Sequence, residues 1–306
     1  MSEKIIFMGT PNFSVPILRS LHDNNYKIEA IYTQPPKKKL RGQQIIKSAV
    51  HLESIKLNIP VRCPEKLNEN IEFDFIKNSG VSYVIVVAYG QIIPEKILSI
   101  PNIIFLNIHA SLLPKWRGAA PIQRSIIEMD KETGVTIMKI IPQLDAGPYM
   151  LQEAIKIKIN DNLTTLSNKL SILGSKLIIN SLNLLKKKEF NFIEQDKNKI
   201  TYAKKIKKKE SEIIWNIPAK NLIAKINGLN PSPGVWFKHN QVRIKIIEAV
   251  ETDQEGKAGE VLDNNLTIAC KHKAIKILLI QKEGKKVLST KNFLAGYIIK
   301  KGEMII

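Results

Sequence analysis

A chain of 306 residues, 44% hydrophobic and 6% aromatic, is long enough for one large domain or two ordinary ones whose cores need neither disulfide nor metal. Its two cysteines, Cys63 and Cys270, lie far apart outside any CxxC spacing, which argues against a disulfide framework and a thiolate metal site and fits a reduced, cytoplasmic setting. The net charge of +19 points to an anionic partner, nucleic acid above all, although a composition rich in Ile, Lys and Asn also supplies surface lysine without function.

The N-terminal MSEKIIFMGTPNF enters a short apolar strand at once, without the longer apolar region and small-residue cleavage site of a secretory signal. No run reaches the roughly 18 apolar residues that a membrane-spanning helix needs, so no membrane partner is expected. Short β-branched apolar runs then alternate with helix-like segments. The pattern predicts strands over 4–8, 28–33, 83–87, 103–108 and 135–140, helices over 16–24, 48–57, 69–79 and 120–129 between them, and a longer helix over 164–187. These are the marks of a doubly wound, Rossmann-like parallel sheet buried on both faces. Ligands of such sheets bind outside the carboxyl ends of the strands, where Gly9-Thr10-Pro11, Ala88-Tyr89-Gly90 and Asn107 to His109 all fall. No GxGxxG follows the first strand, so Gly9 reads as a turn residue rather than part of a dinucleotide fingerprint. The segment 34–43, QPPKKKLRGQ, is too basic for a core and reads as an exposed, mobile loop.

Beyond 187 the texture changes. Seven lysines and no acid fall from Lys197 to Lys209, in a stretch read as a basic linker over 188–206. Short strands are predicted over 213–216, 234–238, 242–249, 258–263, 266–270 and 274–281, with one helix near 220–227, which suggests a small barrel or sandwich. Residues 1–187 carry 24 Lys and Arg against 15 acids, and 207–306 carry 18 against 10 over barely half the length. Positive density is therefore higher in the C-terminal third.

The chemistry concentrates between Asn107 and Asp145. Strand alternation sends Asn107 and His109 to one face, where an amide and an imidazole can address a single oxygen on which negative charge develops. Asp145 follows the next strand and precedes Ala-Gly, a turn that could aim a carboxylate into the same cleft, where it can tune a histidine or relay a proton. Each residue alone has a structural alternative: a strand histidine is more often a hydrogen-bonded structural residue, and an Asp before a turn is more often a turn former. No Ser or Cys nucleophile accompanies them, and neither HExxH nor paired histidines at ligand spacing occur, so direct transfer of an activated group remains.

The string Asn107-Ile-His-Ala-Ser-Leu-Leu-Pro-Lys-Trp-Arg-Gly-Ala-Ala-Pro121, with the opening IIFMGTPNF, VVAYGQIIP at 86–94, Gly134-Val-Thr-Ile-Met138, Asp145-Ala-Gly147 and Thr201-Tyr-Ala-Lys-Lys205, resembles the formyltransferase family that uses 10-formyltetrahydrofolate. The resemblance is strongest through residue 150 and thin beyond about 235. It implies catalytic roles for Asn107, His109 and Asp145, with Asn107 and His109 stabilising an oxyanion. It implies folate binding by Ser111, Leu112, Leu113 and Pro114 and by Ala88, Tyr89, Gly90 and Ile92, with 10-formyltetrahydrofolate as co-substrate and no metal. The acceptor it implies is the amine of methionyl initiator tRNA, met by Arg41 and Lys39 in the 34–43 loop and by Lys205 and Lys208. The expected architecture is a catalytic domain over 1–187, the linker, and a small β-barrel (OB-like) tRNA-binding domain over 207–306, in a monomer. The chain departs from the family where Asp145-Ala-Gly replaces a common Asp-Thr-Gly and where PPKKKLRG replaces a more glycine-rich loop. Family members acting on small acceptors share the Asn-His-Asp set, so the acceptor is read from the basic C-terminal third and the Arg41 loop.

Overall fold

The computed structural model describes residues 3–39 and 44–305. The chain forms two compact units: the first runs through Gly118 and adds Thr133–Ile155 and Ser167–Tyr202, and the second comprises Ala119–Glu132, Lys156–Leu166 and the residues from Ala203 onward.

In chain order the elements are β1 (Lys4–Gly9), α1 (Val15–Asp23), β2 (Lys27–Tyr32), β3 (Lys37–Lys39), β4 (Gln44–Ile46), α2 (Ala49–Lys56), β5 (Val61–Arg62), α3 (Asn70–Asn78), β6 (Tyr83–Val87), α4 (Glu95–Leu98), β7 (Ile104–His109) and β8 (Arg117–Gly118). There follow α5 (Pro121–Ile127), β9 (Glu132–Lys139), β10 (Tyr149–Lys156), α6 (Leu163–Lys187) and β11 (Tyr202–Ala203). The main sheet has seven strands in the order β10-β9-β7-β6-β1-β2-β5. β1 runs parallel to both β2 and β6, and β6 parallel to β7, as the buried β-branched runs predict. β1 and β6 sit at its centre, with Ile5 to Met8 and Val84, Ile85 and Val87 almost entirely buried.

Two features depart from the expected parallel sheet. β9 pairs antiparallel with β7, because an apolar run buried on both faces reads the same in either direction. β10 was not expected at all: its adjacent polar residues Gln152 and Glu153 interrupt the apolar run by which the other strands are read, which an edge strand tolerates. The basic 34–43 segment is not wholly loop either. Lys37–Lys39 pairs antiparallel with Gln44–Ile46, so backbone hydrogen bonding overrides a composition that favours solvent.

The second unit holds α7 (Ala219–Leu229), β12 (Val235–His239), β13 (Val242–Thr252), β14 (Thr267–Ala269), β15 (Ala274–Lys282), β16 (Val287–Ser289) and α8 (Thr290–Leu294). Its antiparallel sheet runs β12-β13-β15-β14, with β16 on β15. Leu222, Ile226 and Leu229 of α7 join Val235, Phe237, Ile244, Ile277 and Ile280 in one core. The strands expected over 213–216 and 258–263 are reduced to isolated bridges, Glu212 to Trp236 for the first and Glu260 to Met304 and Val261 to Ile268 for the second, because their backbone groups are divided among several partners. Residues expected as a linker are shared between the units, and Ile193 exchanges both main-chain hydrogen bonds with Tyr149.

Candidate active site

β7 ends at the carboxyl edge of the sheet and presents Asn107 and His109 on the same side of the strand, with Ile108 buried between them. The turn after β9 brings Asp145 to both. Asn107 Nδ2 donates to Asp145 Oδ1 at 3.4 Å, and His109 Nδ1 lies 3.7 Å from Asp145 Oδ2. The same Oδ2 accepts the main-chain N–H of Gly118 at 2.8 Å. One carboxylate thus gathers an amide, an imidazole and a backbone donor. His109 Nε2 lies 2.9 Å from the carbonyl oxygen of Trp116, an acceptor that requires a proton on Nε2. Nδ1, facing the carboxylate, is therefore the ring nitrogen that can gain or lose one. Both side chains are largely shielded from water, at 6% exposure for His109 and 14% for Asp145, so the charge interactions among them are weakly screened.

Asp145 adopts a left-handed backbone conformation, φ 48°, uncommon for a residue with a side chain. Its turn is held by contacts that the sequence did not flag. Gln195 Nε2 donates to the carbonyl oxygens of Asp145 and Gly147 at 2.9 and 2.7 Å. Gln195 Oε1 accepts from Arg117 Nε and Nη2 at 3.0 and 2.8 Å. Gln195 sits in a polar stretch with no periodicity, and only the fold reveals it. Gly147 is required by space: a Cβ there would lie 1.9 Å from the carbonyl oxygen of Lys139.

The Ser111-Leu112-Leu113-Pro114 segment leaves β7 directly after the histidine and is pinned by β9 and β10. Thr136, opposite His109 in the register, donates its hydroxyl to the Ser111 carbonyl at 2.6 Å and accepts from the Leu113 N–H at 3.1 Å. Gln152 Nε2 donates to the Leu113 carbonyl at 2.7 Å and to Thr136 Oγ1 at 2.9 Å. Thr136 and Gln152 were likewise not expected from the sequence, because alternation along 135–140 gives the face of a strand and not its register with the strand histidine. The register of β6 sets Val86 opposite Asn107, so the turn 88–90 leaves the sheet beside the triad, with Ala88 at φ 47° and Gly90 at φ 87°. Thr10 Oγ1 donates to the Tyr89 carbonyl at 2.7 Å and joins the β1 edge to that turn. Tyr89 is 1% exposed and burial pushes its hydroxyl well above the ordinary tyrosine range, whereas Ile92, expected beside it, is 87% exposed. Among the described residues, the buried Tyr89 hydroxyl and Gln34 Nε2 have no hydrogen-bond partner.

The residues expected to meet tRNA fare unequally. Arg41 lies outside the described residues, Lys39 ends β3, and Lys205 and Lys208 are exposed. In the second unit Lys208 and Lys209 line a cleft of about 720 Å³ together with Lys238, Arg243 and Lys245, against the carboxylates of Glu212 and Glu283. Its floor is Trp236, whose ring carries the Arg243 guanidinium 4.0 Å from its centroid.

The doubly wound sheet carries an amide, an imidazole and a carboxylate at its carboxyl edge, an arrangement suited to group transfer, and comparison with known proteins identifies the group. Residues 3–182 match the formyl transferase family and residues 205–298 the formyl transferase C-terminal domain, so the chain belongs to the formyl transferase family and is a one-carbon group transferase. It is 50% identical to the methionyl-tRNA formyltransferase of Pelagibacter ubique over 100% of this chain and 99% of that protein. It is 38% identical to the methionyl-tRNA formyltransferase of Parvibaculum lavamentivorans, with 99% of each chain covered. Among solved structures, an N-formyltransferase from Helicobacter canadensis in complex with folinic acid and dTDP-3-aminofucose shares the fold, with a TM-score of 0.69 at 18% identity over 92% of this chain and 100% of that one.

Proposed function

We propose that the protein transfers the formyl group of 10-formyltetrahydrofolate to the α-amino group of methionyl initiator tRNA, giving N-formylmethionyl-tRNA for translation initiation, as a cytoplasmic monomer. The observation that carries the reading is the Asp145 carboxylate shared by Asn107, His109 and the Gly118 N–H. Full-length relatives named for this activity support the choice of acceptor.

The folate co-substrate supplies the formyl carbon. Gln34 Nε2, a buried donor without a partner among the described residues, lies beside Gly90 and fits a heterocycle rich in acceptors at the 88–90 turn. When the amine attacks, a carbon–nitrogen bond forms, charge moves onto the formyl oxygen, and the bond to the departing folate nitrogen breaks. Asn107 Nδ2 and a protonated His109 Nδ1 supply the hydrogen bonds that an oxyanion requires. The amine loses one proton and the departing nitrogen gains one. His109 and Asp145, held 3.7 Å apart, form a pair that can take the first and return the second. In the second unit, the five cations of the Trp236 cleft, Lys208 among them, suit an RNA phosphate backbone. Lys205, Lys39 and Arg41 are assigned to the same polyanion.

The test offers methionyl-tRNA and 10-formyltetrahydrofolate, with uncharged tRNA and a small amine as controls. Formylation of the charged tRNA alone is expected, and its failure refutes the reading. Asn107→Ala, His109→Ala and Asp145→Ala should each lower turnover by roughly 10²-fold or more while remaining folded; near-normal rates would remove these residues from the chemistry.

A further inference from the structure

The carboxylate at the centre of the site depends on a backbone conformation that its own residue does not favour. Asp145 stands at φ 48°, and within its turn its carbonyl and that of Gly147 both point to one side-chain amide, Gln195. Gln195 is 6% exposed and Arg117 7% exposed. The two guanidinium N–H groups on Gln195 Oε1 leave Nε2 as the only end of the amide that can face the carbonyls, so Arg117 fixes the orientation in which Gln195 works.

We infer that Gln195 is a positioning residue for formyl transfer: with Arg117 it clamps the 145–147 turn so that the Asp145 carboxylate meets Asn107, His109 and the Gly118 N–H together. Every interaction of the clamp is with the turn's main chain or with Arg117, so Gln195 itself touches no reacting atom. Losing it frees the Asp145 backbone to relax toward an ordinary conformation, which rotates the carboxylate away from Nδ1 of His109. The site would then bind both substrates and react slowly. The inference rests on the formylation reading for its kinetic test and on geometry alone for its spectroscopic one.

The variant is Gln195→Met, which keeps the length and removes all four hydrogen bonds. Gln195→Glu is the second variant. It still accepts from Arg117 and cannot donate to the two carbonyls, so it serves where the methionine side chain prevents folding. The expected result is a fall in kcat of roughly 10- to 100-fold with KM for methionyl-tRNA and for the folate unchanged within about twofold. In an Asp145→Ala background the same substitution should cost nothing further, since the residue it positions is gone. In nitrogen-15 spectra of the histidine rings, the Nδ1 resonance of His109 should move, whereas the Nε2 resonance, tied to the Trp116 carbonyl, should stay. Unchanged kcat, a loss seen only in KM, or an equal loss in both backgrounds overturns the inference, as does an unmoved Nδ1 resonance. Wild-type turnover is measured alongside: if it is absent, the formylation reading fails, and the His109 resonances still decide the clamp.

Discussion

Gly147→Ala tests the geometry of the site from outside its chemistry, because the added methyl touches no substrate. The ideal Cβ would lie 1.9 Å from the Lys139 carbonyl oxygen and 3.0 Å from its carbon, both main-chain atoms in the sheet. The two backbones must separate by about 1.5 Å to reach ordinary contact. That movement breaks the Lys139 N–H to Pro148 carbonyl bond, now 2.9 Å, and pulls the Gly147 carbonyl from Gln195, now 2.7 Å. Two hydrogen bonds at about 1 kcal/mol each give a loss of stability of about 2 kcal/mol. The same displacement carries Asp145, two residues earlier, away from donors at 2.8 to 3.7 Å, and a misplacement of about 1 Å in a catalytic group costs on the order of 100-fold. Single-turnover formylation at saturating substrates reads the chemical step, and thermal unfolding reads stability. A variant that folds with normal stability and transfers formyl at the wild-type rate would refute the claim that the 145–147 turn sets the carboxylate.

Replacing Lys208 and Lys245 of the second-unit cleft by alanine should weaken tRNA binding and reduce the slope of log K against log salt by roughly one per phosphate contact, with kcat at saturating tRNA unchanged; filter binding across salt concentrations measures the slope. Arg19 holds the Glu53 carboxylate below its ordinary value of 4.5, Arg124 does so for Glu210, and His239 for Glu303. Their contribution to stability is complete above pH 4.5 and is lost as pH falls through the lower folded-state values, so denaturant midpoints should be level near neutrality and drop below that pH. Glu210→Gln, which removes one partner of the partly buried Arg124 pair, should lower stability by about 1 kcal/mol and shrink that drop in proportion. Burial pushes the Cys270 thiol up to about 12 and raises that of Cys63 as well, so native protein at pH 8 should react slowly with thiol reagents, and Cys270 only after denaturation.

Much of the first unit was legible because a central parallel strand must be apolar on both faces, a requirement few other segments meet. Tyr83–Val87 was readable to the residue, and Asn107 and His109 followed from alternation at the end of such a strand. Strand direction was not legible, since β9 carries the same pattern whichever way it runs. Nor were the residues that hold the site. Thr136, Gln152, Arg117 and Gln195 act through hydrogen bonds to main chain or to one another across long separations, up to 78 residues between Arg117 and Gln195, and composition leaves no trace of them. The positive charge was legible in amount and not in arrangement. The fold of the second unit gathers Lys238 of β12 and Arg243 and Lys245 of β13 around Trp236, together with Lys208 and Lys209 from the turn before α7.

Chemistry and acceptor choice are written in different parts of this chain and at different levels. The Helicobacter canadensis structure shares the fold at 18% identity and was solved with a sugar nucleotide, so the fold alone does not select an acceptor. In the proposed roles the triad does not select one either, because it addresses the formyl carbon and oxygen of the folate donor, which are the same whichever amine accepts them. Selection must come from groups that reach the rest of the acceptor. A nucleotide sugar offers two phosphates, whereas a tRNA offers dozens, so the feature that suits tRNA is the cationic cleft of the second unit and not the presence of that unit, whose fold the sugar-nucleotide enzyme also covers. Neutralising that cleft should therefore erode discrimination against small amines by weakening tRNA alone, leaving formylation of a small amine, however slow, at its original rate.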